Sequence, residues 1–192
     1  MAENNKPRDP ETAPILPSGG DYFGVHFILR LFLVALAVTS LVVMVTAKET
    51  KLVPVPTMPN FRVRAKAKFT DTPAFIYLVA TMSVTALYGI ITAVVSLGLN
   101  SKPGSATKAL LYFVFWDVLL LGIVAAATGA SGGVGYVGLK GNSHARWGKI
   151  CDNFGKYCRH FGASIALSLV ASIVLVILIM LSACTIHRRI PK

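Results

Sequence analysis

The sequence predicts an all-α membrane protein, a single domain built as a bundle of four transmembrane helices. Hydrophobic residues make up 54% of the 192 residues and charged residues only 14%, whereas a soluble domain carries about a quarter charged residues. Four apolar runs are long enough to cross roughly 30 Å of hydrocarbon, and they do not alternate as the strands of a membrane barrel do. Because only helices and closed barrels can span lipid, these runs are predicted to be helices.

The four apolar runs define the predicted spans. The first is too long for the core of a signal peptide, and no small-residue cleavage site follows it closely, so we interpret it as an uncleaved anchor. The whole membrane domain is assigned to residues 26–186. The spans lie at about 26–46, 74–97, 109–130 and 161–184.

Short tails flank this domain. Residues 1–25 mix Pro, Gly, Asn and acidic residues with little periodicity, which is typical of a disordered segment, and residues 187–192 form a short basic tail. An even number of spans puts both tails on one side of the membrane. Seven basic residues lie in the tails and the middle loop and eleven in the other two loops, so the positive-inside rule alone places the termini outside the cytosol.

The formal net charge of +11 predicts an anionic partner. The basic residues lie almost wholly between the apolar runs, so the expected partners are the lipid bilayer, through its head groups, and acidic polymers. No motif of a nucleic-acid reader is present, and we expect no nucleic-acid partner.

The first long loop predicts a short β element. In FRVRAKAKF, basic and apolar residues alternate with the period of a strand, and the LVPV stretch before the proline-containing turn is its expected partner. After the loop, Thr72 and Pro73 predict the N-cap and first residue of a helix. One face of the strand is basic, and it is either a patch for acidic polymers and lipid head groups or a solvated loop surface. Its residues are Arg62, Arg64, Lys66 and Lys68.

The second long loop is predicted at residues 131–160 and opens with glycines. Gly133, Gly135 and Gly138 spell GxGxxG, but the dinucleotide fingerprint needs a preceding strand. We therefore interpret these glycines as a flexible or closely packed exit from the third span.

Cys151 and Cys158 flank DNFGKY, whose Asn and Gly favour a turn that brings the two cysteines within disulfide geometry. A disulfide is favoured. The alternatives are free thiols and a zinc site completed by His144 or His160, although that spacing matches no common ligand pattern. A disulfide requires an oxidising compartment, which would put this loop outside the cytosol and the termini inside it, against the count of basic residues.

Little else in the sequence indicates chemistry. No paired carboxylates, nucleophile elbow or metalloprotease helix occurs, and the four histidines share no metal-ligand spacing. We therefore expect no enzyme, no cofactor and no metal. Cys184, beside basic residues at the end of the fourth span, is either a lipidation site or simply a small apolar residue.

Two charged residues lie inside the predicted spans, Arg30 in the first and Asp117 in the third. A charge at the centre of a span costs about 2.5–3.5 kcal/mol on insertion scales. The first and third spans run parallel, and at 1.5 Å per residue both charges lie ~10–12 Å below the same membrane face. We predict an ion pair between them. The alternatives are an arginine that extends to the head groups beside a protonated aspartate, and a role in ion or proton passage.

Small residues recur at intervals of four in three spans, a spacing that lets helices approach closely. We expect some of these rows to pack within the bundle, and any surplus row that faces lipid to suit self-association. The residues are Gly89 and Ala93 in the second span, Gly122 and Ala126 in the third, and Ser164 and Ser168 in the fourth.

Together these features resemble the plant Casparian strip membrane domain protein-like (CASP-like) family, tetraspan relatives of the MARVEL domain, over about residues 24–186. The similarity is carried by Arg30, by KFTDTPAFIYLVA before the second span, by Asp117, and by YVGLKGNSHARWGKIC with Cys158 after it. An arginine in the first span and an aspartate in the third recur as a pair in that family. The KGN…W…C loop is similar to its type 1 branch.

The resemblance implies a MARVEL-like bundle in the plasma membrane, with cytosolic termini, that forms homodimers or larger homo-oligomers and hetero-oligomers with related members. The founding members form an immobile scaffold that recruits cell-wall-modifying enzymes, so a non-enzymatic scaffold with cell-wall proteins among its partners is implied here. The first outer loop lacks the nine-residue signature of the Casparian strip members. The alternative functions are a small transporter or channel, or its auxiliary subunit, and a claudin-like barrier protein, whose first-loop Trp and paired cysteines are missing.

Overall fold

The computed structural model describes residues 19–55, 58–99, 106–144 and 147–189. It confirms the predicted class, because four of its helices are long and apolar enough to cross a membrane. The remainder of the predicted tails, residues 1–18 and 190–192, lies outside the described residues. The elements in chain order are α1 (Gly19–Val45), β1 (Lys48–Val55), β2 (Met58–Lys68), a 3-10 turn (Phe69–Asp71), α2 (Pro73–Leu99), α3 (Ala106–Lys140) and α4 (Gly155–Arg189).

The four helices pack as an up-and-down bundle. Helix α1 packs against α2 and α4, and α3 packs against the same two helices, so α1 and α3 run parallel across the diagonal. Fully buried apolar side chains from each helix form the core, among them Leu33, Met82, Val124 and Leu175. The opposite faces are apolar and exposed, as the lipid-facing surface of a membrane bundle must be.

The ends of two helices follow from their local sequence. Helix α2 begins at Pro73 as predicted, since proline has no N–H to leave unpaired at a helix start, and the Thr72 carbonyl accepts the N–H of Phe75 at 3.0 Å. Helix α3 ends at Lys140. The next residue, Gly141, has a φ of +74°, a left-handed conformation typical of the residue after a helix C-terminus. The Gly141 N–H donates to the Val137 carbonyl at 2.8 Å.

All four helices extend beyond the predicted spans at one end or both, and the predicted loop at residues 131–160 is wrong in extent. Helix α3 continues to Lys140 and α4 begins at Gly155, so the GxGxxG segment is helical rather than a flexible exit. The physical reason is packing against α4. A Cβ at Gly135 would lie only 2.9 Å from the Phe161 ring, so the lack of a side chain lets α3 pack closely on α4. This packing outweighs the low helix propensity of glycine. Helix α1 likewise begins at Gly19, ahead of the predicted start at residue 26.

The first loop forms the predicted β-hairpin. Strands β1 and β2 pair antiparallel, with Lys48 opposite Lys68 and Thr50 opposite Lys66. Ala65 and Ala67 on one face are partly buried against the hydrophobic core. Because side chains alternate across a strand, the basic residues of β2 share the other, exposed face.

The hairpin and the second loop form one unit, which we call the loop cap: the β1–β2 hairpin together with the described residues of 141–158. The carboxylate of Glu49 accepts the N–H of Tyr157 at 3.0 Å, and the Tyr157 hydroxyl donates to the Lys68 carbonyl at 3.2 Å. The predicted disulfide is present and joins Cys151 to Cys158. Both loops therefore lie at the same end of the bundle.

Glu49 makes the stability of the loop cap sensitive to acid. Its pKa is lowered mainly by the hydrogen bond from the Tyr157 N–H at the start of α4, with a smaller contribution from Lys51. Since the pKa is lower in the folded state, the stabilisation is complete above the ordinary glutamate pKa of about 4.3 and is lost as the pH falls through the folded-state value.

We expect Glu49→Gln to cost roughly 1 kcal/mol at neutral pH, as for a charge removed from a helix N-terminus, and to lower Tm by about 2–4 °C. The difference in Tm from the unsubstituted protein should shrink as the pH falls below the ordinary glutamate pKa of about 4.3, because the folded-state pKa of Glu49 is lowered. Thermal unfolding of purified protein between pH 3.5 and 7 measures both. Asp152→Asn, at an exposed acid of the same loop, is the control, and an equal loss there would contradict the role of Glu49.

Candidate functional site

Arg30 and Asp117 form a bidentate ion pair inside the bundle, with both side chains fully buried. Arg30 Nη2 lies 2.8 Å from Asp117 Oδ2 and Nη1 lies 3.3 Å from Oδ1. The planar guanidinium matches the two carboxylate oxygens, which is the geometry that makes arginine the preferred cation for a buried carboxylate. We call this pair the clasp.

Helix α2 completes the clasp. Arg30 Nη1 also donates to Thr92 Oγ1 at 2.9 Å, and Thr92 in turn donates to the Tyr88 carbonyl. The guanidinium carbon lies 5.6 Å from the centre of the Tyr88 ring and 5.2 Å from that of Phe113, distances at which aromatic rings attract a cation. Arg30 Nε is buried with no hydrogen-bond partner among the described residues, so these rings are part of what surrounds the charge.

The clasp crosses the diagonal of the bundle. Its two helices run parallel and are separated by α2 and α4, so only a long side chain can join them. Arginine reaches across, and Arg30 does not extend to the head groups, since none of its side chain is exposed. Thr92 carries no charge and resembles the other threonines of α2, and for this reason the sequence did not single it out.

A second set of polar contacts joins helices nearer the loop cap. Ser40 Oγ donates to the Ser164 carbonyl at 2.9 Å, and Ser164 Oγ donates to the Ser40 carbonyl at 2.8 Å, so α1 and α4 are joined reciprocally. Thr128 Oγ1 donates to Ser168 Oγ at 2.9 Å between α3 and α4. Such bonds average about 0.6 kcal/mol each in membrane helices. Ser164 and Ser168 thus pack inside the bundle.

The other rows of small residues divide between the interior and the lipid. Gly89 allows α1 to approach, since a Cβ there would lie 2.6 Å from Val34 Cγ2, and Ala93 is buried. Gly122 and Ala126 instead lie exposed on α3. A Cβ at Gly122 would meet no described atom within 4 Å.

The exposed row continues along α3 towards the loop cap. Gly129 and Gly133 lie seven and eleven positions after Gly122, on the same side of the helix, and both are exposed. A Cβ at either position would also meet no described atom within 4 Å. We call this surface the α3 small-residue face.

The remaining predicted residues lie on the surface. The basic residues of β2 are exposed, and so is the free thiol of Cys184, for which lipidation stays a prediction. Within the described ranges, no group of three or more His, Cys, Asp or Glu side chains could hold a metal ion. The two cysteines of the second loop are joined to each other, as the favoured prediction has it.

This chain is similar to known proteins of the CASP-like family. The profile of the Casparian strip membrane protein domain matches residues 21–174. CASP-like protein 1D1 of Populus trichocarpa is 52% identical over 197 aligned positions, and CASP-like protein 1D2 of Glycine max is 51% identical over 197, each alignment covering both chains completely. CASP-like protein 1 of Panax ginseng is 56% identical over 149 residues, which cover 78% of this chain and all of that relative. No solved structure shows a significant match.

Breaking the clasp should destabilise the bundle strongly. Removing one partner of a buried pair typically costs about 3–5 kcal/mol, because the other charge is left unpaired. We expect Asp117→Ala and Arg30→Ala each to lower the folded yield and Tm in detergent, and the exchange Arg30→Asp with Asp117→Arg to restore part of the loss.

Thr92→Val is the matched comparison for this experiment. It removes one hydrogen bond while leaving the pair intact, and should cost only about 1 kcal/mol. Fluorescence-detected size exclusion with a thermal ramp measures all four variants. Tm values of the single charge variants that equal the original protein would show that the clasp does not hold the fold.

Proposed function

This chain belongs to the Casparian strip membrane protein domain family, as a type 1 CASP-like protein, and on that premise we propose that it is a non-enzymatic plasma-membrane scaffold. In this proposal the multi-pass bundle self-associates laterally, with its own copies and with related members, and organises a membrane domain. The loop cap then faces the cell exterior, where it recruits cell-wall proteins.

The observation that carries the proposal is the α3 small-residue face. Rows of small residues in α2 and α4 are used inside the bundle, at Gly89 and Ser164, while the α3 row is exposed and meets no described side chain. In lipid, helices associate through close backbone approach rather than through a hydrophobic driving force. A smooth face of this kind on the outside of the bundle fits a helix of a second copy.

The interior of the bundle favours a structural role for the protein over catalysis or ion conduction. Arg30 and Asp117 are bound to each other and fully buried. Apart from this pair, the sequences of the four predicted spans, 26–46, 74–97, 109–130 and 161–184, contain no Asp, Glu, Lys or Arg. A transporter would need a series of polar stations across the bundle, so the scaffold is the better fit.

The disulfide supports the proposed orientation. Disulfides persist in oxidising compartments, and the loop cap that contains Cys151 and Cys158 also contains the hairpin, through the contact of Glu49 with Tyr157. Both long loops then lie outside the cell and both termini in the cytosol. The excess of basic residues in these loops is compatible with this, because the positive-inside rule is a bias that a first span can override.

Self-association should depend on the α3 small-residue face. We expect Gly122→Leu with Gly129→Leu to weaken lateral association roughly tenfold or more, since a larger side chain in a packed contact costs about 1–3 kcal/mol. Energy transfer between labelled copies in liposomes, titrated by protein-to-lipid ratio, measures the association, and Tm should not change.

Two matched variants make the experiment specific. Ala35→Leu adds a bulky side chain at an exposed position on α1 and should leave association unchanged. Gly89→Leu should instead lower Tm, because the new side chain would meet Val34 inside the bundle. Equal association of the α3 variant and the original protein would overturn the role of this face.

The three cysteines test the orientation in whole cells. After treatment with a membrane-impermeant reductant, an impermeant maleimide should label Cys151 and Cys158 in intact cells, and Cys184 only after permeabilisation. The variant with Cys151 and Cys158 both changed to Ser should lose the external labelling and keep the internal one. The reverse pattern would place the termini outside.

A further inference from the structure

The exposed face of the hairpin carries only basic charge among its described residues. Strand β2 contributes four exposed cations at every second position, and β1 adds Lys48 directly opposite Lys68. We call this surface the cationic face. Its residues are Lys48, Arg62, Arg64, Lys66 and Lys68.

The acid of the hairpin is kept off the cationic face. Glu49 lies opposite Ala67 in the register, so its side chain is on the side that packs against the bundle. There it accepts the Tyr157 N–H and pairs with Lys51 at 3.1 Å. The charges of the hairpin are therefore segregated, because its one carboxylate is used in packing. The acid next to the cationic face, Asp71, belongs to the 3-10 turn after β2 and accepts the N–H of Lys68 at 3.0 Å.

This segregation is unfavourable for the hairpin by itself. Like charges directly opposite each other destabilise a strand pair, as at Lys48 and Lys68, and the cations along β2 repel one another. The hairpin is nonetheless held in place from below by the partly buried Ala65 and Ala67 and by the Tyr157 hydroxyl bond to the Lys68 carbonyl. An anionic partner would remove the repulsion without any rearrangement of the sheet.

We propose that the cationic face binds a linear carboxylated polysaccharide, a polymer of uronic acids, on the side of the membrane where the loop cap lies. Alternate residues of a strand are about 6.6–6.8 Å apart, so the cations of β2 form a row along the strand, which suits a linear chain of carboxylates. The face is turned away from the side that packs on the helices. For that reason a polymer in water, rather than the head groups around those helices, is the partner that it fits.

That the polymer would be met outside the cell rests on the orientation given under the proposed function. Binding of the polymer to the cationic face does not depend on that orientation. Purified full-length protein in nanodiscs of neutral lipid exposes both ends of the bundle. Polygalacturonate is the probe, its fully methyl-esterified form is the uncharged control, and binding is measured by biolayer interferometry. We expect binding to polygalacturonate that weakens between 0.05 and 0.5 M salt, roughly the range over which exposed charges become screened.

Two variants with equal loss of charge decide whether the cationic face is the site. The hairpin variant changes Arg62, Arg64, Lys66 and Lys68 to Gln and should bind at least about tenfold more weakly, since several modest exposed contacts are removed together. The matched variant changes four basic residues elsewhere at the same end of the bundle and should bind within about twofold of the original protein. Its positions are Lys140, Lys149, Lys156 and Arg159.

Each alternative outcome overturns the proposal. An equal loss in the matched variant would show a response to net charge alone. Equal binding of the esterified polymer would exclude charge recognition, and hairpin-dependent binding to anionic vesicles without binding to polygalacturonate would identify a lipid surface instead.

A second pair of variants covers the case in which the hairpin variant lacks the disulfide or has a lowered Tm. The double variant Arg64→Gln with Lys66→Gln is then compared with the double variant Lys149→Gln with Arg159→Gln. Lateral association should be unchanged in all of them, so failure here is distinct from failure of the scaffold.

Discussion

The buried pair of Arg30 and Asp117 is the constraint on which the rest of this membrane domain depends. Neither charge is tolerable alone inside a bundle surrounded by lipid, so each helix must present its charge to the other at the same depth. This requirement sets the relative depth and rotation of α1 and α3. The hydrogen bond from Arg30 to Thr92 also fixes the depth of α2 relative to this pair. Once three helices are placed in this way, the faces that remain exposed to lipid are also decided, and one of them is the α3 small-residue face.

The residues that stabilise the fold differ from those that we propose to contact other molecules. Inside the bundle, Arg30 and Asp117 pair with each other, and Ser40 and Ser164 exchange hydrogen bonds, so these polar groups are kept away from lipid. The contacts that we propose with other molecules use two surfaces with different chemistry: a flat, apolar side of α3 and a cationic face on the hairpin. Since the two surfaces share no residue, the same protein could pack laterally in the membrane and bind a polymer outside it at the same time.

The loop cap shows how a small sheet is stabilised at the end of a bundle. A two-stranded hairpin is marginal in water when isolated, and this one carries repelling charges as well. It is held by contacts that come from distant parts of the chain: Ala65 and Ala67 against the core, Glu49 at the start of α4, and Tyr157 on the Lys68 carbonyl. The disulfide restrains the segment that leads into α4. The sheet therefore depends on its contacts with the helices.

The sequence by itself determined the four spans, the hairpin, the cysteine pair and the partnership of Arg30 with Asp117, because each follows from a local signal or from the cost of charge in lipid. Apolar length, strand alternation and matched depth are all visible in one dimension. Only the tertiary structure decided that α3 continues through its glycines, that Thr92 completes the clasp, and that Gly89 packs inside while Gly122 faces lipid. These outcomes depend on which side of each helix meets a neighbour. That rotation is fixed by packing among all four helices, and small residues at intervals of four look the same in sequence whichever way they face.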